Sequence, residues 1–268
     1  MKMVNKILLG LAATAAVIAM VGCKFTDDSK KTISGTGNDK TINHENTTDE
    51  NYRAYISTDL KHSGALVKIT FEDPDKAGFS KMGVIFDLKE NKDTAKSKSF
   101  YIIGVAPTAY SNFYVSKMEN ITDIQAYNFG AKTNAAAGQP KETEYVALNI
   151  GSSKNSSDIT LPAKADDGSI SLYIYYKALK EGKYEWAALK LTDEKAKNIN
   201  LSTFKLSDLT TAEVLKKGEI TNAFDAVNAD DKVPQNKIAV YANVLKKKTL
   251  KGKWQFSKTY LEAEEIDY

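Results

Sequence analysis

Apolar and polar residues alternate with a period of two along most of this chain. Segments of this kind, rich in Val, Ile, Tyr and Phe, run over Arg53–Ser57, Ala65–Phe71, Met82–Leu88, Phe100–Val105, Asn112–Lys117, Ile124–Phe129, Tyr145–Ile150, Ser171–Lys177, Tyr184–Leu191, Lys237–Leu245 and Lys253–Ser257. Such alternation places one set of side chains on each face of a strand. Turn-forming clusters separate the segments: Glu72-Asp73-Pro74-Asp75, the Lys-Asn-Asp stretch after Leu88, Asn155 to Asp158, and Asp166-Asp167-Gly168. Helical signals are few. Thr210 and Glu213 make a capping box that predicts a short helix ending at Gly218, and a shorter helical turn is expected after Thr192. Many short strands without β-α-β alternation predict an all-β fold, a two-sheet antiparallel sandwich or jelly roll with one or two short helices. An antiparallel β-barrel is the alternative. No repeat of solenoid or propeller length is present.

The pattern changes at the N-terminus. Lys2 and Lys6 precede Ile7–Gly22, which is apolar or small, uncharged, and shorter than the roughly 20 residues a spanning helix needs. This predicts an export leader over residues 1–22. The sole cysteine follows at once, and Met20-Val21-Gly22-Cys23 resembles the lipobox of bacterial lipoproteins, with Met20 where the usual pattern has Leu. Spirochaete lipoproteins carry looser versions of that motif, and the Lys-rich composition is similar to theirs. The resemblance implies cleavage before Cys23, diacylglycerol on its thiol and an acyl chain such as palmitate on the new amino terminus. It also implies a place in the bacterial cell envelope, at the outer membrane, with the bilayer as partner through the anchor. Several acyl chains anchor stably where one does not. An ordinary signal peptide or an uncleaved anchor is the competing reading. With Cys23 consumed by lipid, no thiol remains for a disulfide, a thiolate metal site or a nucleophile.

From Lys24 to Asn51 the chain is Ser, Thr, Asn, Asp, Lys and Gly with few apolar residues, a composition that cannot bury enough surface to offset its ordering entropy. The expected organisation is therefore leader 1–22, acylated cysteine and disordered tether 23–51, and a single β-sandwich domain 52–268. Loss of the leader removes two lysines and takes the formal charge from +3 to +1. Near-neutrality with interspersed signs argues against a nucleic-acid partner. The one dense basic cluster, Lys246-Lys247-Lys248 with Lys251 and Lys253, reads as a solvated turn between strands or as a site for an anionic ligand or lipid headgroup.

Met82-Gly83-Val84-Ile85-Phe86-Asp87, Phe100-Tyr101-Ile102-Ile103-Gly104-Val105, Asn112-Phe113-Tyr114-Val115-Ser116, Val240-Tyr241-Ala242-Asn243 and Gly252-Lys253-Trp254-Gln255-Phe256 follow one another in an order that resembles the concanavalin A-like lectin and glucanase sandwich. Hydrolytic members of that family carry Glu-x-Asp-x-Glu along one strand, so that carboxylates share a cleft. This chain has no such triplet. Asp73 with Asp75, and Glu262, Glu264 and Glu265, read as a turn and a tail. His44 falls in the expected tether and His62 beside a turn, neither placed as a buried general base. No G-x-S-x-G elbow, His-Glu-x-x-His pair or phosphate loop occurs.

Two candidate sites remain. Asp225, Asn228, Asp230 and Asp231 gather hard oxygen ligands of the kind Ca²⁺ takes, or form a solvated loop; their spacing is not that of an EF-hand. In Ser171–Lys177, period two places Tyr173, Tyr175 and Lys177 on the face opposite Leu172, Ile174 and Tyr176, and Tyr184 and Trp186 share a face nearby, as do Trp254 and Phe256. These rings suit either a sandwich core or a platform that stacks sugar rings or receives a peptide. The sequence thus predicts a membrane-anchored lipoprotein serving as a non-enzymatic binding or adhesion module for carbohydrate, host matrix or another extracellular protein. A structural subunit of an envelope complex and a glycoside hydrolase are the alternatives.

Overall fold

The computed structural model describes residues 32–35, 39–90, 98–108, 112–121, 145–146, 159–179, 183–220 and 236–260. Thirteen strands among them form two antiparallel sheets. In chain order they are β1 (Ile33–Ser34), β2 (Asp39–Glu45), β3 (Tyr52–His62), β4 (Gly64–Phe71), β5 (Lys81–Glu90), β6 (Lys98–Val105), β7 (Phe113–Ile121), β8 (Tyr145–Val146), β9 (Ile170–Leu179), β10 (Lys183–Leu189), β11 (Val214–Ile220), β12 (Asn236–Val244) and β13 (Thr249–Tyr260). One sheet has seven strands in the order β1-β2-β13-β4-β9-β10-β11 and the other six in the order β3-β12-β5-β6-β7-β8. The result is a sandwich with no closed barrel.

Alternation makes the core. Val67, Ile69 and Phe71 of β4, Ile174 and Tyr176 of β9, and Tyr184 and Trp186 of β10 meet Met82, Val84 and Phe86 of β5 and Val240 and Ala242 of β12. Phe86 stacks on Tyr176 at 4.5 Å between ring centroids, and Phe113 packs against Trp186 at 5.7 Å. Trp254 is fully buried, and its indole Nε1 donates to the Gly83 carbonyl at 3.0 Å. A buried indole N–H needs such a partner. Because Trp254 lies on β13 and Gly83 on β5, this bond ties one sheet to the other.

Three expectations change. Asp39–Glu45 is a strand paired with β13, from Thr249↔Glu45 to Gln255↔Asp39, so the sheet begins before Tyr52. Only Ile42 and Lys40 of this strand are buried, and main-chain pairing supplies what its polar composition does not. Thr210 and Glu213 do hydrogen-bond, with Thr210 N donating to Glu213 Oε2 at 2.9 Å, but they close one turn and lead into β11 rather than a helix. Gly218 lies in that strand opposite Trp186, where a Cβ would come within 2.5 Å of the indole. The Glu72–Asp75 turn is instead helix α1 (Pro74–Ala77), with Asp73 accepting from Lys76 N as its N-cap. Helix α2 (Asp193–Asn198) follows Thr192, whose side chain caps it, as expected. The basic cluster lies where a turn was expected: residues 245–248 join β12 to β13 with Lys247 at φ 55°.

Candidate functional site

The outer face of the seven-stranded sheet carries the tyrosines singled out in the sequence, and it is closed. Leu66, Tyr173, Tyr175, Ala187 and Leu189 pack beneath Ala196, Ile199, Leu201 and Phe204 of the segment linking β10 to β11. Tyr173 is 2 % exposed and Tyr175 is fully buried. The cover is pinned by polar contacts. Tyr173 Oη donates to Asp193 Oδ1 at 2.5 Å, Lys68 Nζ reaches the same carboxylate at 2.6 Å, and Lys177 Nζ donates to the Leu201 and Ser202 carbonyls at 2.7 and 3.0 Å. Tyr175 donates to Glu185, and Lys195 pairs with Glu213 at 2.6 Å across the base of the loop. Burial first, and then the neighbouring carboxylates, push both phenols well above the ordinary tyrosine range. Tyr184 and Trp186 point the other way, into the core between the sheets, as do Trp254 and Phe256. None of the four candidate rings, Tyr173, Tyr175, Tyr184 and Trp186, is open. The reason is tertiary: a covering segment converts a tyrosine-rich face into a second core.

Asp225, Asn228, Asp230 and Asp231 lie outside the described residues, as do Cys23, Glu262, Glu264 and Glu265. Among the described residues no group of three His, Cys, Asp or Glu is placed to hold a metal ion. Asp73 caps α1, and Asp75 pairs with Lys164 at 2.7 Å. His44 is half-buried and stacks on Tyr52 at 4.3 Å.

The outer face of the six-stranded sheet is buried as well, its apolar side chains 0–7 % exposed. Its apolar cluster, Tyr55, Ile85, Leu88, Phe100, Ile102, Tyr114, Ala239 and Tyr241, comes wholly from strands of that sheet, and no residue of another described element joins it. Registered partners share a face of a sheet, so the register sets out the arrangement. Arg53, Asn243 and Lys81 form one row across β3, β12 and β5. Tyr55, Tyr241, Gly83, Gly104 and Tyr114 form the next, across β3, β12, β5, β6 and β7. Gly104 is small for a physical reason: a Cβ there would collide with the Tyr114 ring, which folds down on the bare backbone. Above that ring sits the Lys81 ammonium, 4.7 Å from the centroid, at cation–π distance.

Lys81 is the electrostatic anomaly of this face. No carboxylate among the described residues pairs with it. Burial, and then the charge of Arg53, pull its pKa from 10.5 to about 8. Asn243 between them is 1 % exposed, and its Oδ1 has no hydrogen-bond partner. Lys81 keeps part of its side chain exposed, whereas Arg53 and Asn243 lie beneath the surface at 6 % and 1 %. Three residues below Asn243, at the same end of β12, the turn exposes Lys246, Lys247 and Lys248. Sequence reasoning missed this row because its members lie far apart in the chain; the only available signal was a cation on the outward phase of two predicted strands.

No protein-family model and no curated protein matches the chain. Among solved structures it is similar to a legume lectin-like domain from Entamoeba histolytica, at 12 % identity and TM-score 0.39, over 84 % of this chain and 85 % of that one. It is also similar to the carbohydrate recognition domain of Emp46p in metal-free form, at 12 % identity and TM-score 0.37, over 88 % and 92 % of the two chains. A third is the kappa-carrageenase from Pseudoalteromonas carrageenovora, solved with a kappa-carrageenan oligosaccharide, at 6 % identity and TM-score 0.35, over 84 % and 80 %.

Proposed function

We propose that this chain is an envelope lipoprotein, anchored through acylated Cys23, whose sandwich binds a saccharide without transforming it, at the end of the six-stranded sheet where Lys81 lies. The observation that carries the reading is the Lys81 ammonium, half-buried and 4.7 Å above the Tyr114 ring. A half-buried lysine with no acidic partner among the described residues, near a second cation, costs stability that a purely structural sheet has no reason to bear. An acidic saccharide is the class favoured by this ammonium and the exposed Lys246–Lys248 turn at the same end of β12.

The Tyr173/Tyr175 platform is not the site, because both rings lie beneath the β10–β11 segment. An envelope-subunit role draws little support from the surface. Phe79, 45 % exposed, is the only large apolar side chain exposed among the described residues, so these residues offer no contiguous apolar patch for assembly.

The test has two arms. Metabolic labelling with a palmitate analogue should mark the wild-type protein and not Cys23→Ser; labelling that survives the substitution refutes the anchor. The detergent-solubilised protein on an array of neutral and acidic glycans should retain acidic ones, and retention that is indifferent to glycan charge refutes the site.

A further inference from the structure

We infer that the end of the sandwich carrying Phe79, Lys81 and the Lys246–Lys248 turn faces the bilayer that holds the anchor, and that the acidic saccharide it meets there is the headgroup of an acidic glycolipid. The inference rests on the anchor and saccharide readings above and names where the ligand is displayed.

The chain enters the fold at this end. Ile33 of β1 pairs with Ile42, and Ile42 with Gly252, so Thr32 stands level with Lys251, close to where β13 leaves the basic turn. A hydrogen bond of 3.1 Å between the Thr32 and Tyr52 hydroxyls fixes it there, since Tyr52 is registered opposite Val244 on the other side of the same turn. Cys23 and Thr32 are nine residues apart, and nine residues span at most about 32 Å. Because β1 and β2 belong to the sheet, these nine residues alone separate the anchor from the folded body. Inverting the sandwich would lift Thr32 off the membrane by the length of β13 from Lys251 to Tyr260, about 30 Å. The nine residues reach that far only when drawn almost straight, whereas with the entry end toward the bilayer they are under no tension.

The surface presented at this end is apolar at one point and basic beside it. Phe79, 45 % exposed, is the large apolar side chain that stands out among the described residues. Its loop is joined to the basic turn: Ser80 Oγ accepts from Leu245 N at 3.1 Å, and the Lys248 stem passes beside Gly78, where a Cβ would sit 3.2 Å from its Cε. An exposed ring next to long cationic stems is a combination that settles at a headgroup boundary. Acidic groups confine the pull on anions to the apex of the turn. Asp49 pairs with Lys247 at 3.4 Å and Asp73 with Lys76 at 3.0 Å, and Glu45, Glu50 and Glu72 are exposed nearby, while Lys246 and Lys248 are exposed at the apex itself. Lys81 follows Phe79 by two residues, so seating the ring among lipids brings the half-buried ammonium to headgroup level, where the acidic group of a glycolipid lies.

Cys23 is the sole cysteine, and acylation blocks it, so a single introduced thiol takes a nitroxide label specifically. The experiment places the label at Phe79→Cys and, as a control at the far end of β13, at the exposed Thr259→Cys, in the full acylated chain. Each protein is reconstituted into vesicles of phosphatidylcholine alone, with phosphatidylglycerol, or with glucuronosyl diacylglycerol. Collision rates with oxygen, which concentrates in hydrocarbon, and with a water-soluble nickel chelate report the depth of the label. In glucuronosyl vesicles the oxygen-to-nickel ratio at position 79 should exceed that at 259 several-fold. It should fall toward the far-end value in the other two vesicles, and also when Lys246→Glu and Lys248→Glu are added. A label at 79 as open to water as that at 259 in every vesicle would overturn the docking, while retention of acidic glycans on the array would leave the saccharide reading standing. Equal immersion with phosphatidylglycerol would overturn the glycolipid assignment and leave an end that docks through charge alone. Wild-type protein that takes up label would show a free Cys23 thiol and overturn the inference together with the anchor.

Discussion

Lys81→Met is the substitution whose outcome follows most directly from the electrostatics. In the folded chain Lys81 titrates near pH 8, against 10.5 for an ordinary lysine. The sign follows from linkage. Below about pH 8 both folded and unfolded chains carry the charge, and the full cost of holding an ammonium out of water beside Arg53 falls on the folded state. Between about 8 and 10.5 only the unfolded chain remains protonated, so stability rises with pH through that window, and above it the cost is gone. The fall from 10.5 to about 8 sets a ceiling of about 3 kcal/mol. The part-exposed stem and the Tyr114 contact return a share of this, with cation–π attraction worth about 0.5–2 kcal/mol. Methionine keeps the stem and its contact with the ring. Lys81→Met should therefore be more stable than wild type by about 1–2 kcal/mol near pH 7, and the advantage should disappear near pH 10.5. Urea unfolding of both proteins at the two pH values measures this, and other lysines cancel in the difference. A methionine variant that is less stable at neutral pH, or a difference that does not change with pH, would refute the reasoning.

Other expectations follow from the same packing. Tyr173→Ala and Tyr175→Ala each remove a buried ring from beneath the β10–β11 segment and should cost about 3–5 kcal/mol in urea unfolding; a loss under about 1 kcal/mol would mean the segment does not cover them. A chain beginning at Tyr52 lacks Ile33 and Ile42 and leaves the edge of β13 unpaired; it should lose about 3 kcal/mol or more and self-associate on size exclusion, whereas unchanged stability would restore the reading of residues before Tyr52 as a free tether. Asp193→Asn weakens contacts to Lys68 and Tyr173. The Lys68 and Tyr173 hydrogen bonds hold this carboxyl below the ordinary range, so its contribution is present above that range and lost as pH falls through the lowered pKa. At this exposed position it is worth about 1 kcal/mol at neutral pH, and the difference from wild type should shrink in acid.

The strands with strong alternation were legible because their inward residues are large and regular. Val67, Ile69 and Phe71, or Val84 and Phe86, have no other plausible burial, and these segments appear where the sequence put them. Weak strands were not. Within β2, Ile42 is the one apolar residue turned into the core. In β11 only Ile220 is fully buried, among Lys216, Lys217 and Glu219. Such strands exist because a paired neighbour offers its backbone, and composition does not record that. The tyrosine face shows the converse limit. Alternation placed Tyr173 and Tyr175 on one side of β9 correctly, but whether a face is open depends on what crosses it. The covering residues Ala196, Ile199, Leu201 and Phe204 follow no period that announces their destination. The Arg53–Asn243–Lys81 row was hidden for a third reason. Each residue stood at or beside a predicted strand, but neighbours in a sheet are set by register, and register across β3, β12 and β5 is a product of the whole fold.

Proton uptake on ligand binding tests most directly whether an acidic glycan docks at Lys81. Above about pH 8 Lys81 is largely deprotonated in the free protein, and a carboxylate docked beside it restores its charge. Calorimetric titration of an acidic glycan retained on the array, in buffers of different ionisation enthalpy, should give a binding heat that varies linearly with that enthalpy and reports proton uptake, and the dependence should vanish in Lys81→Met. Saturable binding with no proton uptake in the wild-type protein would contradict the account, because it would place the ligand somewhere other than against Lys81.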